Sequence, residues 1–330
     1  MVPNEADAVR KAGIVLLSLV IGAAILAPWL APNDPDRRFP DLIYAPPARV
    51  HLFGDAGALY IYTPRLLSRL ERRFEEDRSK PVALRFLHDA RLITGDAEAG
   101  APLLMLGADA YGRDNFSRLL YGGRATLAVA FIATLAAACL GTLIGGACGN
   151  TAGSGAGWLD AGLSRFSEFV LVLPTIYVAL ALRAVMPLTL SAPQVFALLV
   201  GIFALLGWPI VARGVRAIVL TERQRDYVAA ARAAGASPTR VLVHHLLPAS
   251  RGYVLTQASL LLPAFILAEA TMSYVGLGFQ GDVATWGTML HDASNVAMLG
   301  DAPWTLAPAV PIFLVTLGVN IAAREPGIRG

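Results

Sequence analysis

The chain has 330 residues, of which 55% are hydrophobic and 15% are charged, with a mean hydropathy of +0.56. Charged residues make up about 25% of an average soluble domain, so this composition excludes a soluble globular protein and predicts an all-α integral membrane protein. The net charge of +3 is small and the arginines are spread over polar segments, which argues against binding to nucleic acid. The cysteines Cys139 and Cys148 lack metal-ligand spacing, so neither a metal site nor a disulfide framework is predicted.

Six apolar segments are long enough to cross a bilayer, which requires about 20 residues in a helix. The first is interpreted as a retained anchor rather than a signal peptide, because it is longer than a typical signal core and Pro28-Trp29 is a poor cleavage context. In chain order the predicted spans are 12–31, 126–148, 169–185, 195–211, 254–274 and 305–323.

The distribution of arginine orients these spans. Residues 211–251 carry seven arginines and two acidic residues, whereas residues 277–303 carry three aspartates and no lysine or arginine. Basic residues concentrate in cytoplasmic loops, so the first segment is predicted to be cytoplasmic and the second external. Counting spans from there places both termini in the cytoplasm, in agreement with Arg10 and Lys11 before the first span and Arg324 after the last.

This topology places residues 32–123 outside the membrane as an insertion between the first two spans. Thr63-Pro64 is typical of a helix N-cap followed by proline in the first turn. An apolar stripe at helical spacing follows, formed by Leu66, Leu67, Leu70 and Phe74. Short β-like pieces at 50–53 and 82–87 flank this predicted helix, so the insertion is expected to be a small α+β subdomain.

Three regions therefore make up the predicted domain organisation. Residues 1–31 form the cytoplasmic N-terminus and first anchor, and residues 32–123 form the external insertion. Residues 124–330 form a five-span core, whose cytoplasmic loop runs from 212 to 251.

A polar, arginine-rich segment lies between the fourth and fifth predicted spans. It runs from Asp226 to Pro248 and reads DYVAAARAAGASPTRVLVHHLLP. Its alanines predict a thin first helix, Gly235 fits the left-handed position that ends many helices, and Ser237-Pro238 can begin the next helix. Two short helices joined by a tight turn would form a projection that another protein could bind. A plain connecting loop rich in good helix formers would explain the alanines but not the length or the Gly and Leu-Pro positions.

The chain lacks sequence signatures of an energy source or of an enzyme active site. Lys11 and Lys80 are its two lysines, and neither follows a glycine-rich turn, so no nucleotide-binding P-loop is predicted. HExxH and GxSxG motifs are also absent. A transporter with these properties is either driven by an ion gradient or coupled to a separate ATPase.

Glu269 lies well inside the predicted fifth span, a few residues before Gly276 and Gly278. An ionisable residue inside a span is a functional candidate by default, so this carboxylate could face a translocation path. It could instead hydrogen-bond a neighbouring helix, or backbone N–H groups freed by a break at the glycines. Both interpretations stay open from the sequence.

The order of small residues, glycine and Leu-Pro in segment 226–248 resembles the coupling loop of ATP-binding-cassette (ABC) importer permeases. Ala230, Ala231, Gly235, Leu247 and Pro248 match that pattern, whereas Ala229 stands in place of its glutamate and His245 in place of its isoleucine. Further blocks resemble the dipeptide/oligopeptide/nickel group of these permeases. They are LGADAYGRDNFSRLLYGGRATL (106–127), the set Asp160, Arg165, Glu168 and Pro174, and EATMSYVGLGFQGDVATWGTML (269–290).

The resemblance implies a multi-pass inner-membrane permease subunit of an importer of peptides or similar small solutes, with no cofactor and no enzymatic activity of its own. It implies a second homologous permease subunit, two cytoplasmic ABC ATPase subunits, an external substrate-binding protein and the lipid bilayer as partners. Residues 32–123 and 277–303 would form part of the landing surface for the binding protein. The implied ATPase-coupling residues are Asp226, Tyr227, Ala230, Ala231, Arg232, Gly235, Arg240, Leu247 and Pro248. Arg223, Arg225, Arg232 and Arg240 could meet acidic groups of the ATPase, although the excess of basic residues in cytoplasmic loops would by itself account for them.

Two other hypotheses compete with this one. A stand-alone secondary carrier or channel would use Glu269 as its ion site, but it has no need for segment 226–248. A membrane enzyme would need a convergent acid/base or nucleophile set within the spans, and the sequence contains none. Nickel, opines, glutathione and sugars remain alternatives to peptides as the solute.

Overall fold

The computed structural model describes residues 3–52, 59–68, 73–98, 100–152, 157–174, 176–178, 180–181, 190–295 and 300–323. Within these ranges, five helical stretches are long and apolar enough to cross a membrane: Asp7–Ile25, Asn115–Thr151, Ala192–Glu222, Arg251–Tyr274 and Pro303–Ala322. They overlap five of the six predicted spans. The third predicted span, 169–185, falls partly on residues 175, 179 and 182–185, which lie outside the described residues, and it stays a prediction.

The helices are numbered in chain order. They are α1 (Pro3–Ile25), α2 (Ala27–Leu30), α3 (Asn115–Thr151), α4 (Gly157–Val172), α5 (Ala192–Glu222), α6 (Asp226–Ala233), α7 (Pro238–Val241), α8 (Leu247–Ala249), α9 (Arg251–Tyr274), α10 (Trp286–Asp292) and α11 (Ala309–Ala322). Short 3₁₀ turns occupy Pro40–Leu42 and Pro303–Leu306, and a π-helical turn occupies Leu242–Leu246.

The chain divides into two compact units. The first comprises Met1–Ala128 together with Glu269–Ala322, and the second comprises Val129–Ala268. The long helices α3 and α9 each contribute residues to both units.

The insertion at 32–123, in the first unit, is built from strands rather than around a helix. β1 (Tyr60–Ser68) and β2 (Arg73–Ala83) form an antiparallel pair, as do β3 (Arg85–His88) and β4 (Arg91–Thr94). The helix predicted from Thr63-Pro64 is therefore wrong. Aromatic and β-branched residues dominate the start of β1 and favour a strand, and Pro64 is tolerated because β1 is an edge strand with a bulge beside it.

Two small hydrophobic clusters hold the insertion together. Ile61 of β1, Leu84 and Leu103 are buried in one cluster. The segment before the strands contributes Phe39 and Leu42 to the other cluster, where they pack with buried residues of 104–108. Each cluster thus joins distant parts of the insertion, which a disordered linker would not do.

In the second unit, a stripe of glycines on α3 allows close contact with α5. Gly141, Gly145 and Gly149 are spaced four residues apart and so lie on one helix face. A Cβ on Gly141 would lie 2.5 Å from the Val211 Cβ, and one on Gly149 would lie 2.8 Å from the Val219 Cβ. Small residues at this spacing let helix backbones approach closely in membranes, where apolar burial alone does not drive helices together.

Replacing Gly145 by alanine is expected to destabilise the protein by about 1–3 kcal/mol through overpacking, because the added Cβ would overlap the backbone carbonyl of Ala212. Gly201→Ala on α5 is the matched control, since a Cβ there meets nothing within 4 Å. That control should gain up to about 1 kcal/mol from helix propensity. Thermal unfolding of the detergent-solubilised variants would measure both changes, and equal melting temperatures would contradict the close contact.

Candidate functional site

The first helix of segment 226–248 is short and has a well-defined end. Asp226 lies in the first turn of α6 and Arg232 in the last, where each charge interacts favourably with the helix dipole. Gly235 has a φ of +86°, as the sequence predicted for a left-handed helix end. Its N–H donates to the Arg232 carbonyl at 2.9 Å, and the Ala236 N–H donates to the Ala231 carbonyl at 3.1 Å. These two bonds are those of a Schellman motif, which satisfies the last carbonyls of the helix.

The rest of the segment continues through two further short helices. Ser237 caps α7, because its Oγ accepts a hydrogen bond from the Arg240 N–H at 3.3 Å. A π-helical turn then leads into α8, and the Leu247 N–H donates to the Leu242 carbonyl five residues back. Pro248 has no N–H to donate to the His244 carbonyl, which is consistent with the wider turn before it.

The segment has an inner apolar face and an outer exposed face. Val228, Val241 and Leu246 are fully buried within the second unit and form the inner face. The exposed members of the predicted coupling set are Asp226, Tyr227, Ala230, Arg232, Gly235 and Arg240, and the half-buried members are Ala231, Leu247 and Pro248. The structure therefore brings the predicted residues into one compact element, most of whose side chains are accessible.

Arg223 points inward and not toward the outer face. Its Nη1 donates to the carbonyls of Gly149 at 2.9 Å, Asn150 at 3.3 Å and Ala152 at 2.8 Å. The guanidinium therefore caps the C-terminal end of α3 instead of being free for an external partner. Arg225 remains exposed, with Glu222 at 3.8 Å from its Nε.

Glu269 of α9 is completely buried in the first unit. Its Oε2 accepts a hydrogen bond from the Thr126 Oγ1 at 2.7 Å, and its Oε1 accepts one from the Ser273 Oγ at 2.8 Å. The same hydroxyls accept hydrogen bonds from backbone N–H groups. The Trp286 N–H donates to the Thr126 Oγ1 at 3.2 Å, and the Phe279 N–H donates to the Ser273 Oγ at 3.1 Å. The two hydroxyls thus lie between the carboxylate and the backbone N–H groups. A direct hydrogen bond from backbone N–H groups to Glu269, one of the two interpretations open from the sequence, is replaced by this arrangement.

Gly276 and Gly278 lie where α9 ends. Gly276 has a φ of +82°, and its N–H donates to the Ser273 carbonyl at 3.1 Å. The Leu277 N–H donates to the Met272 carbonyl at 2.8 Å, so this helix also ends in a Schellman motif. A Cβ on Gly278 would lie 2.5 Å from the Ser273 Oγ. Because glycine has no Cβ, the chain can return close to the Glu269 site at this position.

A buried charge cluster, which the sequence did not predict, joins the end of the insertion to Asp292. The Arg113 Nε bonds the Asp109 Oδ2 at 2.6 Å, its Nη2 bonds the Asp292 Oδ2 at 2.9 Å and its Nη1 donates to the Gly281 carbonyl at 2.7 Å. Arg118 is fully buried next to Asp109, at 3.6 Å. Burial raises the pKa of the Asp292 carboxyl, and Arg113 opposes that shift. The signal for this cluster was a group of charges at 109–118 directly before an apolar span.

Asp114 and Asp160 have structural partners of their own. Asp114 caps α3 by accepting hydrogen bonds from the Phe116 N–H and the Ser117 Oγ, and burial raises its pKa to about 6. Asp160 of α4 forms a two-point ion pair with Arg216 of α5, with distances of 2.5 and 2.7 Å. These contacts stabilise a helix end and the packing of two neighbouring helices, so both aspartates have structural roles. Segment 226–248, in contrast, is exposed and has a defined shape.

In the part of the chain that the structure describes, five apolar helices of spanning length and an exposed helical projection between two of them define a multi-pass membrane protein. Residues 141–324 match the family model described as binding-protein-dependent transport system inner membrane component. Residues 10–47 match the N-terminal TM domain of oligopeptide transport permease C. Because the first match covers more than half of the chain, the protein belongs to the family of binding-protein-dependent transport system inner membrane components.

Several permeases are similar to the chain over most of its length. The dipeptide transport system permease protein of Alkalihalophilus pseudofirmus is 36% identical over 216 residues, which cover 65% of this chain and 67% of that protein. A putative peptide permease protein of Brucella ovis is 34% identical over 215 residues, covering 65% and 68%. The di/tripeptide transport system permease protein of Pseudomonas aeruginosa is 28% identical over 310 residues, covering 94% and 83%.

These comparisons confirm the function and location predicted from the sequence. The chain is a permease component of an ABC importer and a multi-pass protein of the inner membrane. Permeases of this family work with ATPase and substrate-binding partners.

Proposed function

We propose that the protein forms half of a translocation pathway for short peptides and that segment 226–248, named here the coupling loop, seats in a groove of a cytoplasmic ATPase. The observation that supports this is the shape of the loop. The projection consists of three short helices with a Schellman turn after the first, is anchored by the buried Val228, Val241 and Leu246, and exposes most of its remaining side chains. A connection between two spans does not require such an element.

The substrate class is proposed from the relatives. Their names specify dipeptides, di- and tripeptides or peptides. The proposed assembly contains a second homologous permease, two ATPase subunits and an external binding protein that delivers the peptide. In this assembly both termini and the coupling loop lie in the cytoplasm, and residues 32–123 and 277–303 face the binding protein.

Energy transfer in this proposal is mechanical. ATP binding closes the two ATPases, and the closure displaces the coupling loop as a rigid body. Small side chains at Ala230 and Ala231 allow the ATPase to approach the α6 backbone closely. The permease helices then rock between inward-open and outward-open arrangements, so ATP hydrolysis drives peptide movement without any chemistry in this chain.

Glu269 has a structural role in this proposal. Both carboxylate oxygens accept hydroxyl hydrogen bonds, and the side chain is 0% exposed. It positions the two hydroxyls that accept hydrogen bonds from the backbone N–H groups of Trp286 and Phe279. This geometry argues against a stand-alone carrier that would use Glu269 as an accessible ion site.

Gly235→Val is expected to uncouple the transporter. The substitution meets open space, so its effect comes from the φ of +86°, where a β-branched residue is strained by about 1–2 kcal/mol. We expect dipeptide uptake and peptide-stimulated ATPase activity to fall in proteoliposomes that contain the complete complex, while membrane insertion is retained. The physical reason is that a loop of altered shape no longer moves together with the ATPase.

Gly252→Val is the matched control for this test. Gly252 also has open space around its Cβ position, but it lies in helix α9 without a positive φ, so valine is compatible with its backbone. The control should transport normally. Normal uptake by Gly235→Val would show that the coupling loop does not transmit the energy of ATP.

A further inference from the structure

We infer that Arg223 is the positioning residue that transmits movement of the coupling loop to helix α3. The inference rests on the proposed function, because it assumes that the loop is moved by an ATPase. It adds the path by which that movement enters the membrane-spanning part of the chain. The contacts that carry it all lie within the second unit.

The N-terminal boundary of the loop is tied to the end of α3. Arg223 lies three residues before the start of α6 at Asp226. Its Nη1 lies 2.8–3.3 Å from three carbonyl oxygens, those of Gly149, Asn150 and Ala152. The last carbonyls of a helix lack intrahelical partners and attract cations, so a guanidinium at this place forms charge-assisted bonds.

The C-terminal boundary of the loop meets the same helix. A Cβ on Gly146 would lie 2.6 Å from the Leu247 Cδ2, so the absence of a side chain at Gly146 creates the space that Leu247 occupies. Leu247, one of the predicted ATPase-coupling residues, lies half-buried against α3. Both ends of the loop are therefore attached to the last two turns of one spanning helix.

Backbone and side-chain contacts connect Arg223 to the loop. Arg223 is the C-cap of α5 and has helical backbone angles, with a φ of −64° and a ψ of −14°. Glu222, its neighbour, accepts a hydrogen bond from the Tyr227 hydroxyl at 2.7 Å, which holds the first turn of α6 against the end of α5. Displacement of α6 by an ATPase thus moves Arg223, and Arg223 draws the end of α3 with it.

The glycine stripe of α3 lies at the same contact. Gly141, Gly145 and Gly149 pack against α5, and the side chains of Val211 and Val219 lie over Gly141 and Gly149. Arg223 bonds the Gly149 carbonyl at the end of this stripe. The bonds of Arg223 consequently act where α3 and α5 are in close contact, so movement of Arg223 with the end of α5 carries α3 along with it.

The test measures dipeptide imported per ATP hydrolysed in proteoliposomes that contain both permeases, the ATPases and the binding protein. Arg223→Ala should lower this ratio about tenfold, within the 5- to 150-fold range typical of coupling between sites. Arg223→Lys retains a cation with three N–H donors for the carbonyl groups and should restore the ratio to within about threefold of the wild type. Arg251→Ala removes one exposed arginine from the start of α9 and should leave the ratio unchanged.

Gly235→Val serves in the same assay as the reference for a failed coupling loop. If it uncouples transport and Arg223→Ala does not, the loop couples but Arg223 does not transmit its movement, and this inference is overturned. If neither variant uncouples transport, the proposed function itself fails. Loss of the assembled complex in both Arg223→Ala and Arg223→Gln would also overturn the inference, because the contact would then serve folding and not motion.

Discussion

Replacing Arg113 by alanine is expected to lower the free energy of unfolding by about 3–5 kcal/mol, the largest effect we predict for a single substitution. Arg113 is 2% exposed and bonds two carboxylates, those of Asp109 and Asp292. Removing a guanidinium from such a cluster leaves two buried acids without their main counter-charge. The penalty is therefore the desolvation of unpaired carboxylates and exceeds the loss of the hydrogen bonds themselves.

The matched control for this prediction is Arg85→Ala. Arg85 also faces a carboxylate, at 3.6 Å from Asp96, but its side chain is 55% exposed. An exposed pair of this kind contributes at most about 1 kcal/mol, so the control should unfold almost as the wild type does. Denaturant titration of the two purified variants measures the difference. A cost for Arg113→Ala as small as that of the control would contradict the tight cluster.

Glu269→Ala is expected to lower the free energy of unfolding by about 2–5 kcal/mol. It leaves the hydroxyls of Thr126 and Ser273 buried without an acceptor, and an unsatisfied buried polar group costs about 1–3 kcal/mol. Glu269→Gln keeps the shape and one acceptor oxygen, so it should lose about half as much. Melting temperatures of the detergent-extracted variants, measured together with dipeptide uptake per folded molecule, check both values.

Glu168→Ala on α4 is the control, because Glu168 is an exposed carboxylate and its removal should change stability by no more than about 0.5 kcal/mol. The uptake measurement separates the two roles considered for Glu269. With a structural role, folded Glu269→Gln transports nearly as well as the wild type. A sharp fall in uptake at normal stability would instead assign Glu269 to recognition of a cationic group, such as a peptide amino terminus.

Features that depend only on residues nearby in the chain were predictable. The bilayer itself supplies the apolar surroundings of a span, so a run of about 20 apolar residues is sufficient to specify one, and five predicted spans overlap helices of spanning length. The conformation of Gly235 depends equally on its neighbours in the chain, because a left-handed residue directly after a helix is sufficient to give the last carbonyl groups their hydrogen bonds. The order of residues in 226–248 likewise specified the permease family that the comparisons confirm.

The strand pair in the insertion could not be predicted in this way. Leu66 and Phe74 fit a helical spacing, but in the fold they are directly opposite each other in β1 and β2. A strand needs a partner strand for its backbone hydrogen bonds, and in this fold residues 73–83 are the partner of residues 60–68. Local periodicity describes one segment at a time and does not contain that pairing.

The sequence by itself determined the membrane class, five of the spans, the shape of the coupling-loop turn and the candidate residues, because each follows from composition or from neighbours a few positions apart. Only the tertiary structure decided which groups meet. Glu269 bonds Thr126 across 143 positions, Arg113 bonds Asp292 across 179 and Arg223 bonds Gly149 across 74. A buried polar group must find a hydrogen-bond partner wherever the fold brings one, and that location is a property of packing in three dimensions.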